Sequence, residues 1–155
     1  MAKKQAAVID DFRSMPGYLV RRLQQISTAI FAEECGPLDL TAVQYAALVA
    51  IGANPSVDAT RLSDLISLDR STLGDVLERI ESKGWVSRTA SPADRRVKLL
   101  TLTAAGRRMV NDVRQPVKNV QRKLLDPLSD ADRTLILSLL IKITEAHSEI
   151  PPTKG

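Results

Sequence analysis

The sequence predicts a mainly α fold of the α+β class, with a single β-hairpin. Apolar residues recur at helical spacing along most of the 155 residues, and two short runs rich in β-branched residues flank a turn within residues 85–102. The composition is 44% hydrophobic but only 3% aromatic, which is typical of a helical core built from Leu, Ile, Val and Ala. A chain of this length buries a core of its own.

Local signals place the first two helices. A first helix is expected over residues 16–34, where one face carries the apolar residues Leu19, Leu23, Ile26 and Ile30. The tripeptide CGP at residues 35–37 should end this helix. Thr41 and Gln44 have the spacing of a capping box, so a second helix should begin there and end at NPS, residues 54–56.

Two further helices follow, separated by a short turn. Asp58 can cap the third helix and Asp69 the fourth, and Leu68 fills the turn between them. The apolar face of the fourth helix is formed by Leu73, Val76, Leu77 and Ile80. This arrangement is typical of a helix-turn-helix. The opposite face has short polar side chains and an arginine that suit a major groove, although a solvated helix face looks similar: Ser71, Thr72, Asp75, Glu78, Arg79 and Ser82.

A β-hairpin comes directly after the fourth helix. Its strands are expected at residues 85–89 and 97–102. A helix-turn-helix followed by a hairpin is a winged helix. Arg95 and Arg96 lie at the tip of this wing, where guanidinium groups can enter the minor groove, and Asp94 can hold Arg96 extended. The alternative is a polar loop whose arginines only aid solubility.

Positive charge is concentrated around these elements. Residues 70–108 contain nine Lys and Arg against four acidic residues, a net charge of +5, whereas the whole chain carries +4. Such a concentration is expected for a surface that binds a polyanion. A module that docks a protein has no need of it, although a basic surface without function is the plain alternative.

Residues 62–106 contain three motifs in succession: LERIESKGWVSR, DRR in the wing and LTLTAAG after it. Through these motifs, and through the order and length of the helices on both sides, the sequence resembles the MarR-type winged-helix transcription regulators. The resemblance implies a homodimer that binds a pseudo-palindromic operator in double-stranded DNA, usually as a repressor released by a small, often aromatic, anionic effector. A winged-helix protein–protein interaction module without a ligand response is the alternative from another class.

The residues expected to contact DNA lie on the fourth helix and the wing. The resemblance carries over six positions, Ser71, Thr72, Asp75, Arg79, Asp94 and Arg96. Arg95 falls at a position that the family leaves variable. With the neighbouring basic residues, the expected set is Arg70, Ser71, Thr72, Asp75, Arg79, Lys83, Arg88, Asp94, Arg95, Arg96 and Lys98.

The C-terminal third predicts a dimer. Its first part has an apolar seam formed by Val110, Val113, Val117, Val120 and Leu124. Pro116 should kink or interrupt this helix near Gln115. A last helix, capped by Ser129 and Asp132, is apolar on two sides and therefore needs two partners. One partner is the protein's own core and the other is a second chain; packing on the core alone is the alternative.

These observations divide the chain into three segments. Residues 1–36 are expected to form an N-terminal arm and a dimerisation helix. Residues 37–104 form the winged helix-turn-helix lobe that binds DNA, and residues 105–155 form C-terminal dimerisation helices and a short tail.

An effector site is expected between the dimerisation helices and the winged helix, where the regulators that the sequence resembles keep a pocket. Arg22 lies at the edge of the apolar face of the first helix, where an unpaired guanidinium is costly. A small aromatic carboxylate would pair with it. The expected lining is Tyr18, Arg22, Ile26, Tyr45, Val113 and Val117. Alternatively, Arg22 pairs with a carboxylate of the protein or extends into solvent.

Enzymes and metalloproteins are disfavoured. His147 and Cys35, the only histidine and cysteine, are 112 positions apart, and neither a Gly-rich phosphate loop nor metal-ligand spacing occurs. We expect no catalysis and no cofactor. Glu33 and Glu34 disfavour a thiolate at Cys35, and with it a role in sensing oxidants. The sequence has no membrane span or signal peptide, so a cytoplasmic protein without a membrane partner is expected.

Overall fold

The computed structural model describes residues 11–152 and confirms the mainly α fold with one small sheet. Residues 1–10 and 153–155, part of the expected arm and of the tail, lie outside the described residues. The helices are α1 (Pro16–Cys35), α2 (Ala42–Ala53), α3 (Ala59–Leu65), α4 (Arg70–Ser82), α5 (Ala104–Asp112), α6 (Arg114–Leu125) and α7 (Asp130–Ala146). The strands are β1 (Val57–Asp58), β2 (Val86–Ala90) and β3 (Lys98–Leu102), and a short 3-10 helix, Gly36–Leu38, follows α1.

Side-chain caps begin the helices where the sequence places them. The Thr41 hydroxyl accepts a hydrogen bond from the backbone of Gln44, whose side chain accepts one from the Thr41 backbone, so the capping box of α2 is complete. Asp58 also caps α3, Asp69 caps α4 and Ser129 caps α7, each with a side-chain oxygen that accepts from a backbone amide of the first turn. Each cap satisfies amide groups that the first turn of a helix leaves without a partner.

The sheet has three strands rather than the expected two. Its order is β1-β3-β2, and all pairs are antiparallel. β1 pairs Val57 with Leu100 and Asp58 with Leu99. Sequence periodicity cannot reveal a strand of two residues, because alternation needs a longer run. β1 leads directly into α3 and therefore fixes the start of α3 beside the wing, residues 86–102.

The core lies inside the winged-helix lobe and extends along α1 and α6. All four apolar residues expected to point inward from α4 are buried. They pack with apolar residues of the neighbouring elements, among them Leu48 and Ile51 of α2, Leu62 of α3 and Leu100 of β3. Phe31 of α1, Val120 of α6 and Val113, which lies between α5 and α6, belong to the same core. The packing of its inner face against this core therefore fixes the position of α4.

The interruption of the C-terminal helix lies earlier than expected. α5 ends at Asp112 and α6 begins at Arg114, with Val113 between them, whereas the sequence analysis put the break near Gln115. The reason is that a proline ring meets the carbonyl four residues before it, which here belongs to Asp112. Pro116 itself lies in the first turn of α6, where its missing N–H costs nothing.

The motif LTLTAAG joins the wing to α5 through a close backbone contact. The Thr103 hydroxyl accepts a hydrogen bond from the Gly106 amide at 3.0 Å and donates one to the Gly84 carbonyl at 2.6 Å. A Cβ at Gly106 would lie 2.0 Å from the carbonyl oxygen of Trp85. Only glycine therefore permits this approach. Gly84 has φ +71°, which also favours glycine after α4.

The last helix departs from its expected packing. α7 contributes no buried residue, so the expectation that one of its sides packs on the protein's own core is wrong for a single chain. α1 and α6 already close that core. Among the described residues, no single helix is long and apolar enough to span a membrane, although α1 and α2 meet the length and composition criteria jointly across a 70° bend.

Candidate nucleic-acid interface

The exposed face of α4 presents most of the residues expected to contact DNA. Arg70, Ser71, Asp75 and Arg79 are all exposed. No ion pair holds the guanidinium of Arg79 within residues 11–152. The opposite face of the helix is buried in the core, so the orientation of these side chains is set by apolar packing. α4 thus offers polar and cationic groups on a fixed support.

Thr72 differs from its neighbours on α4. Its hydroxyl donates a hydrogen bond to the Asp69 carboxylate at 2.5 Å, and its side chain is half-buried. The same carboxylate caps the helix by accepting from the amides of Ser71 and Thr72. The structure therefore places the Thr72 hydroxyl in the helix cap, a role that its position three residues after Asp69 indicates.

In the wing, Asp94 holds Arg96 through hydrogen bonds, as the sequence predicts. The Asp94 carboxylate accepts from the Arg96 amide at 2.9 Å and from the Arg96 Nε at 3.2 Å. These bonds, the backbone one first, lower the pKa of Asp94. The side chain of Arg96 is nevertheless 92% exposed. Arg95 is exposed beside it. The tip of the wing therefore extends two guanidinium groups into solvent, one of them ordered.

Lys83 and Arg88 have protein partners in this structure. Lys83 forms an ion pair with Asp39 at 2.8 Å, and its ammonium lies 4.7 Å from the centre of the Trp85 ring. Arg88 pairs with Glu81 at 2.8 Å. Lys83 thereby links the end of α4 to the turn between α1 and α2. Lys83 and Asp39 are 44 positions apart, so no local pattern in the sequence indicates their ion pair.

A cationic residue that the sequence analysis missed lies next to the wing. Arg61 of α3 lines a cleft of about 660 Å³ together with Arg88, Arg96 and Lys98 of the wing. The signal that points to Arg61 is the pairing of β1 with β3, because this pairing brings the start of α3 to the wing.

Comparison with known proteins identifies the family. The model of the MarR family matches residues 40–98. The transcriptional regulator HosA of Escherichia coli O111:H- is 31% identical over 134 residues, which cover 86% of this chain and 98% of the relative. The chain belongs to the MarR family of transcriptional regulators.

Solved structures of MarR regulators share this fold over most of the chain. Bordetella bronchiseptica BpsR, whose DNA binding is regulated by 6-hydroxynicotinic acid, matches with a TM-score of 0.82 and 29% identity over 86% of this chain and 95% of that one. A MarR mutant from Escherichia coli in complex with operator DNA matches with a TM-score of 0.77 and 30% identity over 82% of this chain and 91% of that one.

The residues expected to bind an effector are spread over several environments in this MarR regulator. Arg22 is exposed, and its guanidinium donates a hydrogen bond to Gln25 at 3.4 Å. The guanidinium of Arg21, rather than that of Arg22, lies over the Tyr18 ring, 5.5 Å from the ring centre. Residues three and four positions apart on a helix are both neighbours, so spacing alone allows either arginine to reach Tyr18.

The other expected effector residues lie closer to the core. Tyr45 is partly buried, and its ring lies 6.2 Å from that of Phe31. Ile26 is 37% exposed, Val117 is partly buried, and Val113 is fully buried. Val113 therefore contributes to the core in this conformation. The six residues therefore range from exposed to fully buried in a single chain.

Cys35 is buried, and His147 lies at the end of a helix. Cys35 is buried, and this burial, followed by the charge of Glu34, raises the pKa of its thiol. His147 Nδ1 lies 2.9 Å from the Ile143 carbonyl at the end of α7, as expected for a helix-end residue. Within residues 11–152, no group of three His, Cys, Asp or Glu side chains is arranged to hold a metal ion.

Proposed function

We propose that this protein is a homodimeric repressor that binds a pseudo-palindromic operator in double-stranded DNA. The observation that carries the proposal is the alignment of exposed cations on α4 and on the wing, with Arg96 ordered by Asp94 yet 92% exposed. α4 enters the major groove and reads base edges, whereas the wing enters the minor groove. The related MarR protein in complex with operator DNA supports DNA binding by this chain.

The dimer follows from the apolar residues that one chain leaves exposed. On α7 these include Leu135, Ile141 and Ile143, each more than half exposed. A two-fold axis between such surfaces places two α4 helices about one helical turn of DNA apart, roughly 10 bp from centre to centre. The insertion of half a turn between the half-sites should therefore abolish tight binding.

The test begins with an operator selected from random DNA. Log affinity should fall steeply with log salt, by about 0.9 for each phosphate neutralised. Arg79→Ala should relax specificity at single base positions, at about 1–3 kcal/mol per base contact. Arg96→Ala should weaken binding broadly and remove a preference for A·T-rich flanks. Lys118→Ala, an exposed site on α6, is the control. A flat salt response would instead favour the protein-docking module.

We further propose that a small aromatic carboxylate releases the protein from DNA by pairing with Arg22. Two facts support this site: within residues 11–152 the guanidinium of Arg22 forms a single long hydrogen bond, to Gln25, and the DNA binding of BpsR is regulated by 6-hydroxynicotinic acid. By linkage, the effector binds free protein more tightly than DNA-bound protein. Arg22→Ala should keep DNA binding and lose the response, whereas Arg21→Ala should keep both. If the effector releases the Arg22→Ala protein from DNA at the same concentration as the wild type, Arg22 is not part of the effector site.

We also infer that the protein acts in the cytoplasm and without catalysis. Membership of a family of transcriptional regulators supports both statements. Fractionation of cells that express a tagged chain tests the first, and retention of repression without turnover of the effector tests the second.

A further inference from the structure

A basic cleft separates the start of α3 from the base of the wing. It has a volume of about 660 Å³ and is open to solvent. Its charged wall residues are Arg61, Arg88, Arg96, Lys98, Asp58 and Asp64. Four cations thus line the cleft with two carboxylates, and two of the cations are paired with acidic residues outside its lining.

The cations of this cleft differ in how far their charge is compensated. Arg88 is paired with Glu81 at 2.8 Å and Arg96 with Asp94 at 3.2 Å. Within residues 11–152, no ion pair or hydrogen bond is formed by the side chains of Arg61 and Lys98. The Asp58 carboxylate is engaged in capping α3, where it accepts from the Arg61 amide at 2.9 Å. Arg61 is therefore an exposed guanidinium beside a carboxylate that already has a donor.

The position of Arg61 is fixed by the sheet. Asp58 of β1 is the partner of Leu99 on β3, directly after Lys98. The cap of Asp58 then holds the backbone of Arg61 three residues further along. Since β3 is also a strand of the wing, Arg61 keeps a constant relation to the wing tip.

We propose that Arg61 contacts a backbone phosphate of the operator, next to the minor groove that the wing enters. This inference rests on the proposed DNA binding. Arg61 lies on α3 rather than α4, so it is placed beside the groove and not in it, and contacts outside the grooves go to phosphates. The planar guanidinium matches the geometry of a phosphate. Lys98, on the opposite wall of the cleft, adds a second positive charge facing the same phosphates.

The test compares Arg61→Gln with the wild type in a salt titration on operator and on random DNA. A dimer loses two phosphate contacts, each worth about 0.9 in slope, so the slope should be smaller by about 1.8. Affinity should then fall about thirtyfold at 0.15 M salt on both DNAs, because phosphates carry no sequence information. Arg61→Lys keeps the charge and should retain most of the slope. Lys118→Gln, the matched control on α6, should change neither quantity.

A second variant in the same cleft works in the opposite direction. Asp64→Asn removes an exposed carboxylate from the wall and should raise affinity on both DNAs without a change in the fold. Ethylation of one operator phosphate in each half-site should weaken binding of the wild type but not of Arg61→Gln.

The outcomes separate the inference from the proposed function. An unchanged slope for Arg61→Gln, in a protein whose wild type has a steep slope, overturns the contact and leaves DNA binding intact. A loss confined to operator DNA also overturns it, because Arg61 would then read bases. If the wild type itself has a flat slope, the proposed function fails instead. Circular dichroism of each variant shows that its fold is intact.

Discussion

The winged-helix lobe and the last helix use the same apolar residue types with opposite results. In the lobe, Leu48, Leu62 and Ile80 are fully buried. On α7, Leu135, Ile141 and Ile143 are 55%, 54% and 58% exposed. Helical periodicity is present in both regions. The difference shows that the lobe is completed by its own chain, whereas the surface of α7 needs a second one.

A cavity of about 370 Å³ lies between α7 and the helices α1 and α6. Its apolar wall includes Leu23 of α1, Leu124 of α6 and Leu140 of α7. Protein interiors are close-packed, and an open apolar cavity of this size is not a feature of a finished core. α7 therefore stands off from α1 and α6 in a single chain, whereas the lobe has no need of further packing partners.

The largest expected effect disrupts the closed lobe. Gly106→Ala places a Cβ 2.0 Å from the Trp85 carbonyl oxygen, and the backbone of α5 or of the wing must move to relieve the clash. We expect a loss of about 3 kcal/mol or more in the free energy of unfolding, measured by urea denaturation.

Gly74→Ala is the control for this substitution. No atom lies within 4 Å of a Cβ at this position in α4, so the protein should become more stable, by about 0.5–1 kcal/mol. Equal stability of Gly106→Ala and the wild type would show that the close approach of α5 to Trp85 is wrong.

A smaller effect is expected from a substitution on the exposed apolar surface of α7. Leu137 of α7 is 50% exposed in the single chain. Leu137→Glu buries a carboxylate in the proposed dimer interface and should weaken the dimer by about 2 kcal/mol, roughly thirtyfold in dissociation constant. Light scattering across a dilution series measures this constant.

Leu65→Glu makes the same change on the lobe. Leu65 of α3 is 47% exposed and lies outside the proposed interface, so its substitution should leave the oligomeric state unchanged. If Leu137→Glu and Leu65→Glu form dimers of equal strength, α7 is not the interface. If both variants are monomers, the surfaces of α7 and α3 do not differ in their role in the dimer.

The smallest expected effect concerns the polar contact that holds α6 against α1. Lys123 pairs with Glu33 at 2.7 Å and Glu34 at 2.6 Å. The hydrogen bond to Lys123 lowers the pKa of Glu34 below 4.5, and the bonds to Glu33 and Glu34 raise the pKa of Lys123 above 10.5. The contact therefore stabilises the fold between about pH 5 and pH 10.

The stabilisation should disappear outside this range. It is lost as pH falls through the lowered pKa of Glu34 and as pH rises through the raised pKa of Lys123. Lys123→Met should lower the unfolding free energy more at pH 7 than at pH 3, and Lys118→Met on the same helix should not change the pH dependence. A loss for Lys123→Met that is constant from pH 3 to pH 7 would assign the effect to packing instead of charge.

The interface was predictable from sequence to different degrees. Arg96 and its brace were found because Asp94 lies only two residues away, and the exposed face of α4 followed from periodicity. Thr72 was assigned to DNA, yet its hydroxyl lies on Asp69. Arg61 was missed, because β1 is too short to be recognised before its pairing with β3 is known.

The sequence by itself determined what acts over a few residues. The caps at Thr41, Asp58, Asp69 and Ser129 form within three positions, and apolar spacing defines one face of α4. Only the tertiary structure decided which distant residues meet. Lys83 and Asp39 are 44 positions apart, and Gly106 lies against Trp85 because the wing folds back on α5. Such contacts depend on how whole elements pack, and the free energy of packing is not a property of any local run of residues.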